Sequence, residues 1–188
     1  MKCAFGENPK RFYGQQGKQA PLTRMGTAAL LRETLFKAKN YMEKKDRGEE
    51  PAFDMKLEAM LPVMRGEIPL KAHAHRCDDI FTSIRIAKEF GVGLTLDHCT
   101  DGACIAEELA KEGYPAFVGP SLGSKTKIEL RTKSFETPGI LQKAGVKVSI
   151  ITDAPVIPQQ YLSMCAGQAV QAGLPMEEGW KAITCNPA

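Results

Sequence analysis

From residue 67 to the end of the chain, short apolar runs alternate with segments whose apolar residues recur every three or four positions. Ile68-Pro69-Leu70-Lys71-Ala72-His73 reads as a strand. It is followed by a helix over 78–90, in which Ile80, Phe81, Ile84 and Ala87 mark one face and Gly91 marks the stop. The pattern then predicts a strand over 93–98, a helix over 103–111 ended by Gly113, and a strand over 115–118. A helix over 138–144 ended by Gly145, a β-rich strand over 147–152 and helices over 158–172 and 176–184 complete it. The first 66 residues differ: a short strand over 1–5, a polar Gly/Gln-rich loop over 14–21, and a long helix over 23–45 with Thr23 as its N-cap. A second helix over 53–64 follows.

Strand, helix, glycine and strand again, at intervals of roughly 25 residues, is the pattern of βαβ units on a parallel sheet. The expectation is an α/β fold of about five parallel strands. Residues 1–188 would form one domain, with 14–66 as a helical insertion after the first strand and 67–188 as regular β/α units.

Composition narrows the function classes. The chain has 188 residues, 43% of them apolar and 25% charged, which is ordinary for a globular protein with a sizeable core. Its 25 basic and 22 acidic residues give a net charge of only +3, with no clustered basic stripe of the kind nucleic acid requires. The run Glu43-Lys44-Lys45-Asp46-Arg47 mixes both signs and reads as a solvated helix end. No stretch resembles a signal peptide or a membrane span, so a cytoplasmic protein without nucleic-acid or membrane partners is expected. Six cysteines form no CxxC pair and no zinc-finger spacing; buried free thiols are expected rather than disulfides.

The chemistry-bearing residues gather after the predicted strands: His73 and His75, His98, Ser121 and Ser124, and Asp153. In parallel α/β folds the carboxyl ends of the strands form the functional face. His73, His75 and His98 are all the histidines the chain has, and the two in His-x-His share one face of an extended strand. Neutral imidazole is the commonest transition-metal ligand. Asp153 reads as a turn former or helix N-cap by itself, and beside histidines as a carboxylate ligand or general base. Arg76, Lys125, Lys127 and Arg131 fall in strand-following loops, where a cation can either hold a substrate carboxylate or simply be solvated. Ser124-Lys-Thr-Lys127 matches SxxK without the partner motifs of a serine nucleophile, and there is no phosphate-cradling glycine loop.

His73-Ala-His75 after one strand, Asp97-His98 after the next and Thr152-Asp153-Ala-Pro155 after the last resemble the metal-dependent amidohydrolase superfamily. The resemblance is nearest to its imidazolonepropionase-like and prolidase-like branch. Gly6-Glu7-Asn8-Pro9-Lys10-Arg11 and the ending Ala182-Ile-Thr184-Cys-Asn186-Pro-Ala188 fit the same order. The resemblance implies part of a (β/α)₈ barrel, about strands 4 to 8, with one or two divalent metal ions, zinc in first place. His73 and His98 would be metal ligands, and Asp153 a ligand that also takes the proton of the attacking water. His75 would contact substrate or support His73, and either Glu7, slightly preferred, or Lys2 would supply a strand-4 ligand. The activity implied is hydrolysis of a C–N bond in an amide, a small peptide or a cyclic amide.

The family's first ligand pair, an HxH on strand 1, has no counterpart before His73. The expectation is therefore a truncated or naturally split barrel, hydrolytically incompetent alone and self-associating through exposed strand edges. The competing readings are a non-catalytic scaffold domain and a heterocycle deaminase that uses the same ligands.

Overall fold

The computed structural model describes residues 1–188. Five strands, β1 (Lys2–Ala4), β2 (Leu70–Ala74), β3 (Leu94–His98), β4 (Ala116–Val118) and β5 (Val148–Ile150), form one parallel sheet in chain order. The helices are α1 (Glu7–Pro9), α2 (Arg24–Asp46), α3 (Met55–Met64), α4 (Cys77–Phe90), α5 (Ala106–Glu112), α6 (Thr137–Ala144), α7 (Leu162–Gln171) and α8 (Met176–Ile183). The chain divides into two compact units, Met1–Ala72 with Phe81–Leu94, and His73–Ile80 with Thr95–Ala188.

In the first unit, α2 starts at Thr23, whose hydroxyl accepts a bond from the Gly26 N–H at 3.0 Å. Asp54 starts α3 by accepting from the Lys56 and Leu57 N–H groups at 2.8 and 3.1 Å. Each cap satisfies backbone donors that a helix start leaves without an intrahelical partner. The two helices pack together, and the Tyr41 hydroxyl donates to Glu58 at 2.6 Å. Asp54→Ala is expected to cost about 1 kcal/mol, read as a lowered chemical-denaturation midpoint. An unchanged midpoint would contradict the capping role.

The second unit holds the regular β/α repeats. Register pairs His98 with Val118 across β3 and β4, and Val118 with Ile150 across β4 and β5. The carboxyl ends of the three strands are therefore level, and the residues that follow them share one rim. Nearly every residue of β2, β3 and β5 is buried, as a parallel sheet requires. On α7, α8 and the loop between them, Cys165, Ala166, Ala169, Leu174 and Ala182 close a core over Ile150, and the Asn186 amide donates to the Val148 carbonyl at 2.7 Å.

Two segments depart from the sequence pattern. Residues Lys10–Gln16 form a π-helical turn directly after α1, where a polar loop was expected from residue 14. Gly14 is its one buried residue, and its aromatic pair, Phe12 and Tyr13, is adjacent and exposed, so no helical period marks it. Helical structure before α5 also begins earlier, at Thr100, as a 3₁₀ turn over Thr100–Ile105. No helix is long and apolar enough to cross a membrane.

The six cysteines are free thiols, but only Cys99 and Cys165 are buried; Cys104 and Cys185 are exposed. Burial pushes the Cys99 thiol up to about 12, and the thiolate is the reactive form. A thiol reagent on the native protein is expected to modify Cys104 and Cys185 first and Cys99 only after unfolding. Native labelling of Cys99 would contradict this.

Candidate metal centre

Two strand ends are tied together to build the site. His73 lies in β2 and His75 directly follows it, so their side chains leave the extended backbone on the same side. His98 is the last residue of β3. It has φ 70 and Cys99 has φ 47, left-handed values that cost a side-chain-bearing residue about 1–2 kcal/mol. The turn is held by the Cys99 N–H donating to the Ala74 carbonyl at 3.0 Å and the Asp101 N–H donating to the His75 carbonyl at 2.8 Å. Such strain persists where the surroundings over-determine it, typically at functional sites.

The result is a compact group of three buried imidazoles. His73 and His98 ring centres are 4.3 Å apart, His75 and His98 4.7 Å, and His73 and His75 4.8 Å. One nitrogen from each ring lies within 4.8 Å of the others, which is a geometry that can hold a metal ion. The donor set fits such an ion. The Gly119 carbonyl can only accept, so the 2.6 Å contact to His98 Nδ1 fixes the proton there and leaves the lone pair on Nε2. His75 Nδ1 lies 2.8 Å from the Thr100 hydroxyl, which serves as an acceptor when Nε2 is the ligand atom. Metal-binding histidines characteristically donate their other N–H to an outer acceptor in this way.

Electrostatics agree with a neutral, lone-pair-bearing ring at His75. Burial first, then the neighbouring His98, His73, Lys127 and Lys133, push His75 down to about 2. His75 is therefore a neutral imidazole at physiological pH. Three neutral imidazoles suit zinc, and also copper, iron or nickel.

Glu129 and Thr100 were not recognised from the sequence. The Glu129 carboxylate is fully buried, 3.9 Å from His75 Nε2 and 3.9 Å from Lys127 Nζ. The preceding Ile128 is 74% exposed, so burial here runs opposite to hydropathy. In sequence, Glu129 sits between Lys127 and Arg131 in a polar stretch and looks solvated; the inversion shows only in three dimensions.

Of the expected site residues, the structure brings His73, His75 and His98 into one cluster, with His75 as a full member. Asp153 follows β5 on the same rim, half-buried and also left-handed at φ 50, with its carbonyl accepting from the Val156 N–H at 2.9 Å. It is not among the clustered ligands. Glu7 opens α1 and Lys2 opens β1, both in the first unit. Among the loop cations, Arg76 makes a bidentate pair with Asp78 at 3.0 Å on both arms. Lys125 donates to the Arg131 carbonyl at 2.8 Å. Lys127 is the one of the four that faces the centre's carboxylate.

No protein-family profile matches the chain. The crystal structure of an amidohydrolase from Thermotoga maritima MSB8 superposes with a TM-score of 0.94 at 45% identity, over 100% of this chain and 50% of that one. Amidohydrolase tasK of Hapsidospora irregularis is 25% identical over 207 residues, covering 100% of this chain and 21% of its own length. Both relatives are amidohydrolases. The chain is thus amidohydrolase-like in sequence and fold, and it spans half the solved relative and about a fifth of the curated one.

Proposed function

We propose that this chain supplies the histidine-rich part of a metal-dependent hydrolase that cleaves a C–N bond in an amide, small peptide or cyclic amide. The observation that carries this reading is the buried cluster of His73, His75 and His98, whose outer hydrogen bonds leave Nε2 of His98 as a lone-pair donor. The names of the two relatives support the hydrolase class. The imidazolonepropionase-like or prolidase-like branch rests on the strand-end motifs alone.

In this reading His73, His75 and His98 would hold a divalent ion, zinc in first place. When bound, such an ion lowers the pKa of water toward about 7 and polarises a carbonyl. The chain's own groups do the rest. Thr100 and the Gly119 carbonyl orient two of the rings. Asp153, on the same rim, takes the proton of the attacking water at its carboxylate and returns it to the leaving nitrogen. The family resemblance also makes Glu7 a candidate acidic ligand. The sheet's outer strands, β1 and β5, are the candidate surfaces for self-association.

The test is a chimera in which this chain replaces the matched half of the Thermotoga maritima amidohydrolase. It is assayed with zinc, manganese or cobalt on dipeptides, N-acyl amino acids and cyclic amides. The expected result is metal-dependent amine release that falls at least about 100-fold in Asp153→Asn, while bound metal is retained. An Asp153→Asn chimera as active as its parent would contradict the proton-transfer role. The isolated chain is expected to stay below about 1 turnover per second, the lower end of ordinary enzymes.

A further inference from the structure

We propose that Glu129 is the anionic fourth member of the histidine centre, its carboxylate joining His73, His75 and His98 in holding a divalent cation, with Lys127 as the resident countercharge. This rests on the metal-binding reading of the cluster. Three observations carry it.

The first is position. Two donor atoms that share one ion at ordinary bond lengths of about 2.0–2.2 Å lie roughly 3.3–4 Å apart, depending on the angle between them. The 3.9 Å between Glu129 Oε1 and His75 Nε2 falls in that window. It is too long for a hydrogen bond.

The second is charge. Three neutral imidazoles add nothing to offset a dication, and burying uncompensated charge is costly. The nearby Lys127 and Lys133 make the surroundings still more positive. Glu129, with a fully buried side chain, is the carboxylate paired at this distance with a ring of the cluster. Its own position opposite Lys127 at 3.9 Å gives the buried carboxylate a cation to face before a metal enters.

The third is construction. A carboxylate buried beside an exposed isoleucine needs support, and the loop has it. Thr132 donates to one oxygen of Asp101, while the other oxygen of Asp101 accepts from the Cys77 N–H at 3.1 Å. The Asp101 N–H in turn donates to the His75 carbonyl. One aspartate thus ties the loop that carries Glu129 to the strand end that carries His75. The 3₁₀ turn Ile128–Leu130 then places Glu129 inward.

The two neighbours have opposite effects on an incoming cation, which separates a metal-holding role from a merely structural one. Removing the carboxylate while keeping its shape should weaken binding, whereas removing the competing ammonium should strengthen it. A structural pair would show neither sign reversal nor a change at the metal.

The experiment is Co²⁺ and Zn²⁺ titration of the intact chain, Glu129→Gln and Lys127→Met, by calorimetry and by Co²⁺ visible absorption, with circular dichroism as a check on folding. Expected is a 10- to 100-fold loss of affinity in Glu129→Gln, in the range seen when a metal site loses a supporting group. Its Co²⁺ spectrum should be altered, and Lys127→Met should bind more tightly. If the unaltered chain binds and Glu129→Gln binds equally well with the same spectrum, the proposal for Glu129 is overturned and the histidine centre stands. If the unaltered chain binds neither metal, the metal reading itself fails. Should Glu129→Gln unfold, Lys127→Met decides: tighter binding supports the proposal and unchanged binding overturns it.

Discussion

His98→Ala is expected to abolish tight metal binding, with an affinity loss beyond about 100-fold. The loss of an outer partner alone costs 10- to 100-fold, and His98 is itself a donor. Its ring touches both other imidazoles, with centres 4.3 and 4.7 Å away, so its removal also opens the space that keeps them in place. The Gly119 carbonyl loses its donor at the same time, a buried deficit of about 1–3 kcal/mol. The variant should therefore melt lower but remain folded. Titration with Zn²⁺, with circular dichroism alongside, checks both parts. A folded His98→Ala protein that binds zinc as tightly as its parent would contradict the role given to His98.

Gly119→Ala should be the most damaging single methyl group. Gly119 has φ +134, a conformation that side-chain-bearing residues rarely adopt, and an added Cβ would meet the Ile151 carbonyl oxygen far inside contact distance. That oxygen belongs to backbone at the end of β5 and cannot rotate away as a side-chain tip could. Ile151 is also bonded back to β4, its N–H donating to the Val118 carbonyl at 3.0 Å. Relief requires β4 and β5 to part next to the Val118–Ile150 register pair. Backbone strain of about 1–3 kcal/mol adds to an overpacking cost of similar size, for a total of about 3 kcal/mol or more. The Gly119 carbonyl also orients His98, so metal affinity should fall along with stability. Thermal melts and zinc titration of Gly119→Ala measure the two losses; a variant with the parent's melting temperature and affinity would contradict the placement of this turn.

Much of this arrangement could be read from the chain itself, because parallel β/α repeats write their period into the hydrophobic pattern. The strands at residues 70–74, 94–98, 116–118 and 148–150 fall where apolar runs placed them, and the rule that function sits at carboxyl strand ends singled out His73, His75 and His98. Their mutual approach was only implied, since sequence gives each strand end but not the crossing bonds, such as the Cys99 N–H to the Ala74 carbonyl, that draw two ends together. Glu129 stayed hidden for a different reason. Its burial depends on a loop anchored by Asp101, 28 residues earlier in the chain, and local hydropathy points the wrong way at Ile128. The Lys10–Gln16 turn escaped because its apolar residues, Phe12 and Tyr13, are adjacent rather than spaced at a helical period. Cys104 and Cys185 were expected inside on the strength of apolar neighbours, yet lie on the outer sides of their segments.

Zinc-edge X-ray absorption of the chain loaded with one equivalent of Zn²⁺ asks directly whether these imidazoles hold the ion. The expected spectrum shows a nitrogen and oxygen shell with the outer scattering of about three imidazole rings and zinc–ligand distances near 2.0–2.1 Å. A shell dominated by sulfur at about 2.3 Å, which the six free thiols could supply, or zinc that fails to stay bound, would contradict the histidine centre.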